Sequence, residues 1–179
     1  TFPMGAQAGT SVEISVTGEF IEDAAELHFS NPRIHATQVL EADALNSSGR
    51  YKVTIPEDVR PGVVEVSLMT RLGLSSSRVF TVGEVRETSQ AKGNQKLETA
   101  MPLAVNTVCN ATMTARSIDF YRFDGVKGQR VLVDCAAQGI DSKLNPVVIL
   151  ADGSGQDLAV ERRGGAIDFS VPEDGTYVI

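Results

Sequence analysis

The chain has 179 residues, 42% of them hydrophobic and 22% charged, so it is long enough for one large or two small packed domains and too apolar to be disordered throughout. Its net charge of −7 and pI near 4.8 argue against nucleic-acid partners and anionic membrane surfaces, which need clustered Lys and Arg. No apolar run approaches the ~20 residues of a membrane helix, so no membrane insertion is expected, and without Trp and with only 6% aromatics the means for stacking on sugars are thin.

Gly9-Thr10 leads into Ser11–Thr17, where Val12, Ile14 and Val16 alternate with polar residues as in a half-buried strand. Ala25–Phe29 is a second strand before the Asn31-Pro32 breaker, and Ile34–Ala42 is a less regular third, followed by a polar turn at Asn46–Gly49. Arg50–Ile55 sets Tyr51, Val53 and Ile55 on one face. Val63–Thr70 and Arg78–Val82 complete a block over residues 1–83 that reads as a β-sandwich.

Residues 84–100 are polar and aperiodic and contain Gly93-Asn94, which marks an interdomain linker over a short helix. A second block covers residues 101–179. Val105–Met113 is a strand bearing Cys109. Ser117–Cys135 then reads as a β-hairpin: Ile118–Phe123 and Arg130–Cys135 are strands joined at Asp124-Gly125-Val126-Lys127-Gly128. Tyr121 and Phe123 share one face of the first, Val131, Val133 and Cys135 one face of the second. Leu144–Leu150, Leu158–Glu161 and Ala166–Val171 are further strands, with turns at Asp152–Asp157, Pro172–Gly175 and, as a hairpin turn, Arg162–Gly165. Thr176–Ile179 begins a strand at an open edge that is expected to run on past Ile179. The fold class is all-β: two β-sandwiches in tandem, immunoglobulin-like and then jelly-roll-type.

Cys109 and Cys135 stand 26 positions apart, outside any C-x-x-C. They are either two buried free thiols or a disulfide clipping two neighbouring strands. The disulfide is the expectation; closing such a loop contributes about 3.5 kcal/mol and implies an oxidising compartment.

Asp119-Phe120-Tyr121-Arg122-Phe123, Gly128-Gln129-Arg130, Leu144-Asn145-Pro146-Val147 with Asp152-Gly153, and Phe169 followed by Pro172-Glu173-Asp174-Gly175-Thr176-Tyr177 occur in that order in the second block. On these residues it resembles the bacterial pre-peptidase C-terminal (PPC) domain, from which it departs in stopping at Ile179, so that the sandwich is truncated at its C-terminal end. The first block, by its Ser11–Gly18 strand, Leu27-His28-Phe29, Ile55-Pro56-Glu57-Asp58 and Pro61-Gly62, resembles an immunoglobulin-like domain of the IPT/TIG kind. The tandem is similar to large surface proteins of planctomycete-type bacteria. The resemblance implies a modular extracytoplasmic protein (secreted, cell-surface or periplasmic) and no chemical activity.

No catalytic set is legible. His28 and His35 are the only histidines, and neither lies in G-x-S-x-G or H-E-x-x-H. Asp152 and Asp157 are weak calcium candidates in Asp152–Asp157, which lacks the bidentate acid of an EF-hand; Asp134, Asp141 and Glu161 could join only through the fold, and no other cofactor is expected. Arg162-Arg163-Gly164-Gly165 is a lone basic pair, and Asn46 and Asn110 head sequons irrelevant in a bacterium. The expected role is a non-enzymatic structural or interaction segment of a larger surface protein. Its partners would be other domains of that protein or other surface proteins. The alternatives are a carbohydrate- or calcium-dependent module meeting cell-surface polysaccharide, or an accessory domain of a secreted peptidase or other hydrolase.

Overall fold

The computed structural model describes residues 1–21, 23–24, 26–39 and 49–179. The end of the Ile34–Ala42 strand, most of the Asn46–Gly49 turn and the Asn46 sequon lie outside them. The chain is all-β and divides into two compact units, Thr1–Glu87 and Thr88–Ile179.

In the first unit the strands are β1 (Gly5–Gln7), β2 (Ser11–Ser15), β3 (Glu26–Phe29), β4 (His35–Gln38), β5 (Arg50–Thr54), β6 (Gly62–Thr70), β7 (Gly73–Leu74) and β8 (Arg78–Gly83). They form two sheets, β1-β8-β6-β3 with β7 hydrogen-bonded to β6, and β2-β5-β4. Alternation does the work expected of it. In β5 the pattern is exposed-buried-exposed-buried-exposed, so Tyr51 and Val53 enter the core with Ile14 of β2. The other sheet contributes Leu27, Val66, Leu68, Phe80 and Val82. Phe29 and Phe80 meet edge to face with ring centres 5.5 Å apart, the arrangement the ring quadrupoles favour.

Strand β9 (Arg86–Ser89) follows, then a 3₁₀ turn (Leu97–Thr99), β10 (Met101–Pro102), β11 (Thr107–Asn110), β12 (Tyr121–Gly125), β13 (Arg130–Val133), β14 (Val148–Asp152), β15 (Asp157–Glu161), β16 (Ile167–Ser170) and β17 (Gly175–Val178). The main sheet runs β10-β12-β17-β14-β15, and β13-β16 and β11-β9 form two-stranded sheets. Phe123, Leu150 and Tyr177 from the main sheet pack with Val131, Val133 and Ile167 of the β13-β16 pair.

Three expectations are corrected here. First, residues 117–135 are not a hairpin: β12 pairs with β10 and β17, and β13 pairs with β16. Both flanks carry a core face, and crossing from one sheet to the other lets Phe123 and Val131 close on one core instead of lying side by side. The crossing is held from far along the chain. Gly128 N–H donates to Val171 O at 2.8 Å, and Lys127 N–H donates to Asp174 Oδ1 at 2.7 Å. Arg162–Gly165 is likewise a crossing, because β15 and β16 belong to different sheets.

Second, β17 is not at an edge. It lies between β12 and β14, with Tyr177 opposite Phe123 and Asp152. The core requires this. Tyr177 stacks on Phe123 at 5.7 Å, meets Phe169 edge-on at 5.6 Å, and donates its hydroxyl to Glu173 O at 2.9 Å.

Third, residues 88–100 belong to the second unit instead of forming a free linker. Asn94 is buried, its carbonyl accepts Phe120 N–H at 2.7 Å, and its amide nitrogen donates to Phe120 O at 3.3 Å. A buried amide must be hydrogen-bonded, and this one spends its groups on tying the segment to the residue before β12.

Candidate functional site

The loop between β14 and β15 holds the first metal candidate. Asp152 Oδ1 accepts Ser154 N–H at 2.9 Å, Ser154 Oγ–H at 2.6 Å and Gln156 N–H at 3.0 Å, and Gly155 takes φ +89° to close the turn. The Ser154 hydroxyl first, and the Gln156 amide next, hold the Asp152 carboxyl below its usual range. Asp157, the second candidate, is already inside β15, where it pairs in register with Ala151. Of the carboxylates considered beside them, Glu161 accepts Arg163 N–H at 2.6 Å, and Asp134 and Asp141 lie after β13. Among the described residues no three His, Cys, Asp or Glu side chains gather where they could hold a cation.

The depressed Asp152 value makes a pH-dependent prediction. A carboxyl whose folded pKa lies below its unfolded value of about 3.9 stabilises above that value, and the contribution is lost as pH falls through the folded pKa. Asp152→Asn is therefore expected to lower Tm at neutral pH, with the gap to wild type closing below about pH 4. A gap that stays constant into acid would show that the Asp152 charge plays no part.

The expected disulfide is corrected: Cys109 and Cys135 are free, half-buried thiols. Cys109 lies in β11, whose partner is β9, while Cys135 follows β13, whose partner is β16. Cys109 and Cys135 thus belong to different strand pairs, and no bond joins them. Burial pushes both thiols up. Cys109 is partly offset by a hydrogen bond with Tyr121, and Cys135 is pushed further by the Asp134 charge. Tyr121 is itself pushed up to about 12, chiefly by burial and then by Cys109. Raised thiols react slowly, because the thiolate is the nucleophile. Two cysteines are therefore expected to titrate with a thiol reagent on unfolding without reductant; none titrating would restore the disulfide.

A cleft of about 180 Å³ opens beside Cys135, lined by residues 134–138, Pro146 and Gly164. Its lining carries no aromatic ring, and its volume is below the ~300 Å³ at which small-molecule pockets begin. The histidines belong to the first unit: His28 is on β3, with Nε2 3.5 Å from Glu26 Oε2, and His35 is exposed on β4.

Sequence reasoning passed over two features. One is the Gln90–Asn94–Phe120 network, with Gln90 Nε2 donating to Asn94 Oδ1 at 3.1 Å. It gives no periodic signal, and Gly93-Asn94 has the composition of a turn. The other is Phe20. Among the ten aromatic residues, all described, it alone is largely exposed (69%), and it sits at φ +58° in a loop, off the sheet faces. The surface also carries exposed charged pairs: Arg130 grips Asp168 at 2.8 and 2.6 Å, Arg50 pairs with Glu13 diagonally across the β2–β5 ladder, and Arg33 pairs with Asp58.

No protein-family model matches the chain, and no curated protein matches it. Among solved structures, it is similar to the Bacteroides ovatus mixed-linkage glucan utilization locus SGBP-B, solved in complex with a mixed-linkage heptasaccharide. The identity is 15% and the TM-score 0.36, over 97% of this chain and 35% of that one, so this chain spans about a third of that protein. A likeness this distant carries no argument about function.

Proposed function

We propose that the chain is a non-catalytic structural and interaction segment of a larger extracytoplasmic protein, in which all-β units serve as spacers and protein-binding surfaces. The observation that supports this reading is how the polar chemistry is used. Asp152, Glu161 and Asp174 each accept a backbone N–H where the chain turns or crosses between sheets, and Arg130–Asp168 and Arg50–Glu13 are ion pairs that bridge paired strands diagonally. Carboxylates committed to turns and strand pairs suit a scaffold. No helix among the described residues is long and apolar enough to cross a membrane. With both thiols free, the extracytoplasmic part of the reading rests on the family resemblance alone.

A carbohydrate-binding reading has one observation in its favour, the exposed ring of Phe20. Affinity electrophoresis of the whole chain through gels containing soluble β-glucan or xylan separates the two. The scaffold reading expects the wild type and Phe20→Ala to migrate alike with and without polysaccharide. Retardation that disappears in Phe20→Ala would replace it by carbohydrate binding.

A further inference from the structure

The main sheet of the second unit ends at β15, and alternation along the ladder shows what that edge presents. Tyr121 and Ile179 exchange both backbone bonds, so Val178 turns its own amide the other way, toward Ala151 of β14. Asp152 N–H bonds Gln156 O on the opposite side, toward β15. Val148 and Leu150 therefore face β15, and their partners Glu161 and Ala159 face back. Val160, between those two, directs its N–H and C=O to the open side.

The side chains at this edge are apolar. Val160 lies opposite Ile149 in register, and the two are 39% and 38% exposed; Leu158, at the irregularity in β15, is 40% exposed, and Val147, just before β14, is 51% exposed. Natural edge strands are usually blocked by Lys, Pro or an inward charge. This one reads Asp-Leu-Ala-Val-Glu, with acids at the two ends, an irregularity in the ladder at Leu158, and a regular stretch from Ala159 to Glu161 that carries no Lys or Pro. A second copy is a poor occupant, because antiparallel pairing of β15 with itself would set Asp157 against Glu161.

We infer that β15 is a docking edge for an extended segment of another protein, with two apolar residues two positions apart opposite Leu158 and Val160 and a Lys or Arg at each end opposite Asp157 and Glu161. The added strand would take up the backbone groups of Val160, cover the apolar patch and neutralise the two acids, in the manner of β-strand addition. The net charge of −7 draws a cationic segment toward the chain. This rests on the interaction half of the reading above.

The test is titration of the whole ¹⁵N-labelled chain with the capped peptide Ser-Lys-Val-Ala-Val-Arg-Ser, and with the same peptide carrying Asp in place of Lys and Arg. Expected are amide shift changes along β15 and slowed exchange of the Val160 amide. The acidic peptide should bind at least about tenfold more weakly, with a difference that shrinks at high salt. Val160→Lys, which puts a charge into the patch, and Val160→Pro, which removes the outward N–H, should each weaken binding at least about tenfold. Should the proline variant fail to fold, the lysine variant decides. Absence of binding, shifts away from β15, equal binding of the acidic peptide, undiminished binding by the variants, or dimerisation through β15 would each overturn the docking edge. Failure here leaves the electrophoresis result unchanged, whereas retardation through Phe20 overturns the reading it rests on.

Discussion

Tyr177→Ala is expected to destabilise the second unit by about 4 kcal/mol, the usual cost of truncating a buried aromatic. The side chain is 3% exposed and is the one ring in contact with both Phe123 and Phe169. It stands on β17, in the middle of the main sheet, so no edge can relax to fill the cavity. Small domains hold only about 5–15 kcal/mol in all, and a loss of this size moves the urea midpoint far. Tyr177→Phe keeps both ring contacts and removes only the bond to Glu173 O, at about 1 kcal/mol. Urea unfolding of the two variants followed by amide exchange at Phe123 and Leu150 checks this. Equal effects from Phe and Ala would place the stabilisation in the hydroxyl and contradict the packing account.

Gly49→Ala is expected to cost the first unit about 3 kcal/mol, from two sources that act together. Gly49 has φ +112°, a conformation that side chains with a Cβ rarely adopt. An added Cβ would also stand 2.6 Å from the carbonyl oxygen of Val16, a backbone atom that cannot swing away. The same carbonyl belongs to the residue whose N–H donates to Gly49 O at 2.6 Å, next to the β2–β5 pair, so relief would have to break that junction. Gly128→Ala is the internal comparison: its φ is +80°, but nothing lies within 4 Å of the added carbon, so only the conformational share of the cost should appear. Thermal unfolding measures both. If the two substitutions cost the same, the contact with Val16 is not a barrier.

Much of the fold was legible because strands announce themselves locally. Val12-Glu13-Ile14 and Arg50–Thr54 alternate, and their buried members are the ones alternation assigns to the core. Gly155 and the aspartate ahead of it were legible as a turn, since both residue types favour turns for local steric and hydrogen-bonding reasons. Asp152 was therefore the one metal candidate whose structural role could have been read from composition alone, and its carboxylate is used as that role requires.

Although β1, β7, β9 and β10 gave no readable signal, the amino-acid sequence by itself determined the all-β class, the approximate positions of most strands, the core faces of β5, β12 and β13, and the turn at Asp152–Asp157. Each depends on neighbours two to five positions away, within which side-chain alternation and backbone preference act. Only the tertiary structure decided which strand pairs with which. The joint after Phe123 has the residues of a hairpin turn, yet partners 40 and more positions on, Val171 and Asp174, make it a crossing between sheets. That choice in turn seats β17 between β12 and β14 and leaves β15 with an open side. The reason is physical: a strand's hydrogen-bonding groups are the same whichever strand they meet, and burial of Phe123, Val131, Leu150 and Tyr177 in one core selects among the pairings.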